Sequence, residues 1–272
     1  MLEYTGLDQG AGLWQLAQVG THHVISVLHH GDRAAEMGAL WQTCHSLQRL
    51  GHRLGVLDTT AAETAANPGL QGMLDHGYRP SHADDAGWCI TPAATGIRSL
   101  RDQLSHSTSG QKALERLFSD FSALVVYADA DTLAATTDTS AGLPVLAISP
   151  EMPSLLSAYN SLKQLASQTT LRRAAVVTVR SADSPRYLSE NIAKSLQNCT
   201  MKYLKCKLHP FHTRLMFDGD WHENEPEDMR QLVLQLLGKE APYAGSAPVQ
   251  RPARKRPAQA SVGNVVSHQW SH

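Results

Sequence analysis

The chain has 272 residues, 42% of them hydrophobic, which is enough for one sizeable α/β domain with a full core. Its formal net charge of −1 gives no overall field for nucleic acid, and no run approaches the roughly 18 apolar residues that a membrane span needs. The scattered cysteines, Cys44, Cys89, Cys199 and Cys206, form no CxxC pair, zinc ribbon or disulfide framework, and Met1-Leu2-Glu3-Tyr4 lacks the basic start of a signal peptide, so a reduced, cytoplasmic protein is expected.

In chain order, residues 1–21 form a short segment ahead of the first strand. Leu13 and Leu16 keep helical spacing behind Asp8 as a candidate N-cap, but Gly6, Gly10 and Gly12 each cost roughly 1 kcal/mol against alanine. This segment is expected to order on contact with something else. From residue 22 short apolar runs alternate with amphipathic stretches. The runs at 24–28, 54–57, 88–91, 123–128, 145–148, 174–179 and 204–208 predict strands. Helices are predicted at 37–50, 96–104, 110–120, 154–167, 187–198 and 227–237, with Ser107-Thr108-Ser109-Gly110 as a helix entry and 61–86 irregular with short helices. Strands that are apolar throughout and separated by helices predict one doubly wound, mainly parallel sheet with helices on both faces, spanning 22–240. The apolar stripe of Met229, Leu232, Val233 and Leu236 follows Glu223, Glu225, Glu227 and Asp228, so it is expected to pack on the sheet rather than on a membrane. Residues 241–272 are rich in Pro, Ala, Ser and Gln, with a basic cluster at Arg251, Arg254, Lys255 and Arg256 and no acidic residue; they predict a disordered tail, solubilising or weakly sticky.

The first predicted strand runs into Leu28-His29-His30-Gly31-Asp32-Arg33-Ala34-Ala35-Glu36-Met37-Gly38. A nucleotide-binding α/β protein puts a glycine-rich loop there, where backbone N–H groups and a helix N-terminus cradle phosphate. This loop has one glycine in its tight stretch, no lysine, and no Ser or Thr to hold magnesium. Asp32 and Glu36 stand where a triphosphate wants positive charge. Further along, Asp58, Asp129 and Asp131 could be residual metal ligands or solvated carboxylates at the sheet's carboxyl edge, and the second is expected. His22-His23, His29-His30 and His209-Pro210-Phe211-His212 lie at strand ends without HExxH or Cys–His spacing, so they are read as surface polar residues and no metal site is expected. No GxSxG elbow marks a nucleophile.

The stretch Ala147-Ile148-Ser149-Pro150-Glu151-Met152-Pro153-Ser154-Leu155-Leu156-Ser157-Ala158-Tyr159-Asn160-Ser161-Leu162-Lys163 is the most specific in the chain. It resembles the PE-P-S-L-AY--IK segment of the MinD/ParA-type ATPases that regulate flagellar number, the FlhG (FleN) family, with Pro150, Glu151, Ser154, Tyr159 and Lys163 matching. Ile148 would end a buried strand, Pro150 and Pro153 set the turn, and Ser154 cap the helix. Asp8-Gln9-Gly10-Ala11-Gly12-Leu13 resembles that family's N-terminal DQA--LR element, and Leu47-Gln48-Arg49-Leu50-Gly51-His52-Arg53-Leu54-Gly55-Val56-Leu57-Asp58 its LA-LGKRVLLLD run. The three pieces fall in family order across about residues 6–240.

Departures from the family fall on catalysis. Its GKGGVGKT loop aligns with residues 29–36, so His30, Gly31, Arg33 and Glu36 become degenerate nucleotide-site positions, with both lysines absent. Of its DAD motif only Asp58 remains, and the expected Walker B aspartate is Tyr127, with Asp129 beyond it. Phosphoryl transfer is positioning plus charge neutralisation, so this chain is expected not to hydrolyse ATP at a useful rate and to need no cofactor. The resemblance implies a short N-terminal helix that binds a signal-recognition-type GTPase (FlhF) and stimulates it. Asp8, Gln9 and Leu13 are kept for that contact, while Trp14 replaces an arginine. An ordinary disordered N-terminus is the competing reading.

The expected function is a degenerate FlhG-like regulator of flagellar number or placement, acting by protein contact, with homodimerisation left open. Two alternatives stand beside it. One is a working ATP–magnesium switch with Arg33 replacing the lysine. The other is a MinD-like partner of another polar or surface-assembly system.

Overall fold

The computed structural model describes residues 23–77, 88–104, 110–139, 142–181, 185–215 and 226–238. The expectations for residues 1–21, for the helix entry at 107–109 and for 241–272 lie outside them. The chain alternates strand and helix: β1 (His23–Leu28), α1 (Arg33–Arg49), β2 (Leu54–Asp58), α2 (Gly69–His76), β3 (Trp88–Pro92), α3 (Gly96–Leu104), α4 (Gly110–Leu117), β4 (Ala123–Ala128), α5 (Ala130–Thr136), β5 (Val145–Ile148), α6 (Met152–Gln168), β6 (Arg173–Arg180), α7 (Arg186–Tyr203), β7 (Lys207–Arg214) and α8 (Glu227–Leu236).

The strands form one seven-stranded sheet in the order β3-β2-β4-β1-β5-β6-β7, and every pairing is parallel. β4 and β5 are buried along their whole length, as strands covered on both faces must be. Alternate residues serve two cores. Leu28, Leu124, Val126, Leu146, Ile148 and Val176 face α3, α5 and α6 through Ile97, Leu100, Leu133, Ala158, Leu162 and Leu165. Ile25, Val27, Val125, Tyr127, Ala147 and Val177 face α1 and α8 through Ala35, Ala39, Leu47, Met229, Leu232 and Val233. The doubly wound architecture expected from the sequence is thus the one observed. The apolar stripe of α8 packs on α1 and the sheet, as its acidic lead-in predicted.

The topology fixes where a site can form. The chain leaves β1 toward β2 on one side and later crosses from β4 to β5 on the other, so direction reverses at β1. A crevice at the carboxyl ends of the strands at such a reversal is where open α/β sheets bind ligands.

Several boundaries differ from the sequence reading. α1 begins at Arg33, not Met37, because the Asp32 side chain caps it, Oδ1 accepting from Ala35 N–H at 3.2 Å. α5 was not predicted; its seven residues are set by Asp129, whose Oδ1 accepts from Thr132 N–H at 2.8 Å. β7 starts at Lys207 instead of 204, since α7 runs on to Tyr203 and Lys205 turns at φ 55°. His209-Pro210-Phe211-His212 therefore lies within β7. Pro210 fits there because, among the described residues, β7 is an edge strand paired with β6 alone.

Glu63 closes the N-terminus of α3, its carboxylate accepting from Thr95 N–H at 2.8 Å and Gly96 N–H at 2.6 Å. Gly96 also lets α3 approach α2: a Cβ there would lie 2.5 Å from Gln71 N and 2.8 Å from the Leu70 carbonyl carbon. Those neighbours are backbone and cannot swing aside. Gly96→Ala is expected to destabilise the fold by about 1–3 kcal/mol, measured by denaturant unfolding.

Candidate functional site

The loop between β1 and α1 sits at the sheet reversal. Gly31 turns it at φ 104°, a conformation that suits glycine and brings successive N–H groups round to one side. Three of these groups point at one oxygen. Glu36 Oε1 accepts from His30 N–H at 2.8 Å, Gly31 N–H at 3.0 Å and Asp32 N–H at 3.2 Å. Its second oxygen, Oε2, accepts from the His29 ring Nδ1 at 2.8 Å and from the Tyr127 hydroxyl in a short bond. Glu36 is fully buried. Burial by itself would raise its carboxyl pKa, but the Tyr127 hydroxyl, the His30 N–H and the His29 ring outweigh it, and the group is held below its usual range. The Tyr127 phenol is pushed up, first by burial and then by the carboxylate it faces.

A second set of bonds ties this loop to β5 and α6. The His30 side chain is fully buried, with Nε2 donating to the Ala147 carbonyl at 2.6 Å and Nδ1 lying 2.9 Å from Ser157 Oγ. Asp32 Oδ2 accepts from Ser149 N–H at 2.9 Å, and that N–H also reaches Ser154 Oγ at 3.1 Å. Burial opposes the Asp32 charge, yet the Ser154, Ser149 and Ala35 hydrogen bonds hold its pKa below the usual value.

The positions singled out in the sequence divide into those that converge and those that do not. His30, Gly31, Glu36 and Asp32 meet in one cluster. Arg33 is exposed on the first turn of α1. Asp58 folds back on its own turn, Oδ1 accepting from Thr60 N–H at 2.8 Å and Thr60 Oγ1 at 2.7 Å. Asp129 caps α5, and Asp131 is held by Gln164 at 2.8 Å and by Gln168 of α6. No group of three or more His, Cys, Asp or Glu able to hold a metal occurs among the described residues. Asp8, Gln9, Leu13 and Trp14 lie outside those residues.

The segment of Pro150 and Glu151 needs one correction. α6 starts at Met152 with Glu151 as N-cap, so Ser154 does not cap it; its buried hydroxyl reaches back to Ser149 instead. Tyr159 packs part-buried against the core and Lys163 is exposed. A second correction concerns the histidines. His30 is no surface residue but a buried bridge, because its ring nitrogens bond to Ala147 of β5 and Ser157 of α6. Sequence reasoning also missed His29, Tyr127 and Ser157 as partners. The available signal was Glu36 itself, a carboxylate in the first turn of a helix, where N–H groups favour negative charge.

No protein-family model and no curated protein sequence matches this chain. Solved structures match it in shape. MinD cell division protein from Aquifex aeolicus gives a TM-score of 0.51 at 12% identity, over 81% of this chain and 99% of that one. Cobyrinic acid a,c-diamide synthase from Mycobacterium smegmatis, with bound ATP analog and magnesium, gives 0.55 at 12% identity, over 80% and 94%. A plasmid partition protein from Borrelia burgdorferi gives 0.52 at 10% identity, over 79% and 99%. The fold is that of MinD/ParA-type P-loop proteins.

The residues present do not fit an ATP–magnesium group. Residues 28–38 hold no lysine to neutralise phosphate and no hydroxyl for magnesium, and the N–H groups of 30–32 are spent on Glu36.

Because the Glu36 pKa is lower folded than unfolded, its charge contributes stability above the unfolded pKa. That contribution is lost as pH falls through the ordinary carboxylate range toward the folded value. The stability gap between wild type and Glu36→Gln is therefore expected to narrow on acidification, followed by urea unfolding at a series of pH values. Tyr127→Phe removes one donor to a buried charge and is expected to cost about 1.5–3 kcal/mol at neutral pH in the same assay.

Proposed function

We propose that this chain is a MinD-type regulatory protein of the FlhG-like kind, serving flagellar number or placement through protein contact rather than ATP hydrolysis. The observation that carries the second half of this reading is the Glu36 carboxylate, seated on the N–H groups where a nucleotide phosphate would have to bind. A switch driven by nucleotide needs those groups free and a lysine beside them; this loop offers neither. The flagellar assignment is supported by the ordered resemblance of the segments at 8–13, 47–58 and 147–163. In this reading Asp8, Gln9, Leu13 and Trp14 form the contact with a signal-recognition-type GTPase, and the protein works in the cytoplasm, recruited to a pole or to the inner membrane surface. No described helix is long and apolar enough to cross a membrane.

One observation favours a second reading, an ATP-binding switch with an atypical loop. A neighbour of the same fold carries an ATP analog and magnesium, and Arg33 is exposed on the first turn of α1. That reading requires Glu36 to leave its five donors.

Calorimetric titration of the full chain with ATP and magnesium, beside a sizing column, is expected to give no heat and an unchanged elution volume. Micromolar binding with a shift to a dimer would put the switch first. A peptide of residues 1–20 is expected to bind the signal-recognition-type GTPase and raise its GTP turnover; absence of both effects would remove the flagellar assignment.

A further inference from the structure

The misfit between this loop and a nucleotide has a specific shape. The cradle has not been dismantled. Three consecutive N–H groups still converge on one point, Gly31 still holds the positive φ that turns them inward, and a 17-residue helix still starts behind them. What differs is that an oxygen of the chain's own side chain stands at the point of convergence. The carboxylate is fully buried and kept charged, so it is an anion in an anion site. Side-chain donors complete it from two sides: the Tyr127 hydroxyl from β4, and His29 from the strand end. The His29 side chain is 34% exposed, which marks the side on which the cluster meets solvent.

We infer that Glu36 is a built-in stand-in for an oxyanion, filling a phosphate cradle that the backbone of residues 30–32 still provides, and that shortening this one side chain reopens the cradle to a free phosphate group. The inference rests on the reading that ATP is not a ligand of the wild-type chain. It concerns oxyanions as a class, whether inorganic phosphate or the terminal phosphate of a nucleotide. The physical basis is the donor count. Glu36→Ala leaves the three N–H groups facing a void of carboxylate size, beside the Tyr127 hydroxyl and the His29 Nδ1, which lie 2.9 Å apart and can pair with each other. Buried N–H groups without an acceptor draw in an anion that fits. Glu36→Gln keeps the space filled and serves as the control.

The test uses thermal unfolding of the full-length chain in chloride and in inorganic phosphate at matched ionic strength, for wild type, Glu36→Ala and Glu36→Gln. In chloride, Glu36→Ala is expected to melt below wild type. Phosphate is expected to raise its Tm progressively with the logarithm of concentration, by about 5 °C or more at a hundredfold excess over Kd, while wild type and Glu36→Gln stay where they were. ADP and adenosine separate the sources. A response to phosphate alone makes the site one for free oxyanions, a stronger response to ADP makes it one for nucleotide phosphates, and either result supports the inference. No response of Glu36→Ala to phosphate or ADP, an equal response of wild type, or a response to adenosine as large as to phosphate would overturn it. If Glu36→Ala does not fold in chloride, Glu36→Ser is read by the same criteria, and failure of both to fold even in phosphate counts against the inference. The two readings fail separately. Micromolar ATP binding by wild type sinks the proposed function, whereas an indifferent Glu36→Ala sinks the stand-in and leaves an ATP-silent wild type untouched.

Discussion

A carboxylate that is taken out of water and stays charged must be surrounded by donors, and this requirement organises the centre of the molecule. At Glu36 the donors come from the loop after β1, from the strand end at His29 and from Tyr127 on β4. Losing any one of them weakens the compensation of a charge held in a low-dielectric interior. The three loop N–H groups can reach Oε1 only if Gly31 turns the backbone and α1 begins at Arg33. Tyr127 can reach Oε2 only if β4 lies beside β1 in parallel register. One buried charge thus couples the loop conformation, the helix start and the strand order.

The same device recurs along the carboxyl edge of the sheet. Asp32 caps α1 and holds Ser149, Glu63 sits on the first N–H groups around α3, and Asp129 caps α5. Each helix start that faces this edge carries partial positive charge, and each of these three is met by a side chain of the chain itself. The starts of α6 and α7, which follow β5 and β6, carry no side-chain cap, so the internal anions are concentrated on the β1, β2 and β4 side of the edge.

The parts of this structure that could be read from sequence are those set by local pattern. β4 and β5 were located to the residue because their six and four consecutive apolar positions are bounded by Ser122 and Asp129 in one case and by Pro144 and Ser149 in the other. The start of α3 at Gly96 and the packing of Met229, Leu232 and Val233 followed from helical spacing. Less legible were elements decided by single hydrogen bonds. α5 depends on one aspartate cap within an Ala- and Thr-rich run of low contrast, and α1 begins a turn early because of Asp32. The role of Glu36 was the least visible. Its charge was plain, and so was its proximity to a would-be phosphate loop, but it read as an obstacle to anions. That it is the anion depends on Tyr127, 91 positions away, and on backbone N–H groups that no residue code records. The buried bridge of His30 to Ala147 and Ser157 is hidden for the same reason, since its partners come from β5 and α6.

Tethering gives the loop between β1 and α1 one further property. A diffusing anion fills its site to a degree that follows its abundance, whereas a carboxylate carried four residues down the same helix is present at an effective molarity far above any cellular metabolite. While Glu36 keeps this seat, the loop holds its conformation on an anion that cannot diffuse away.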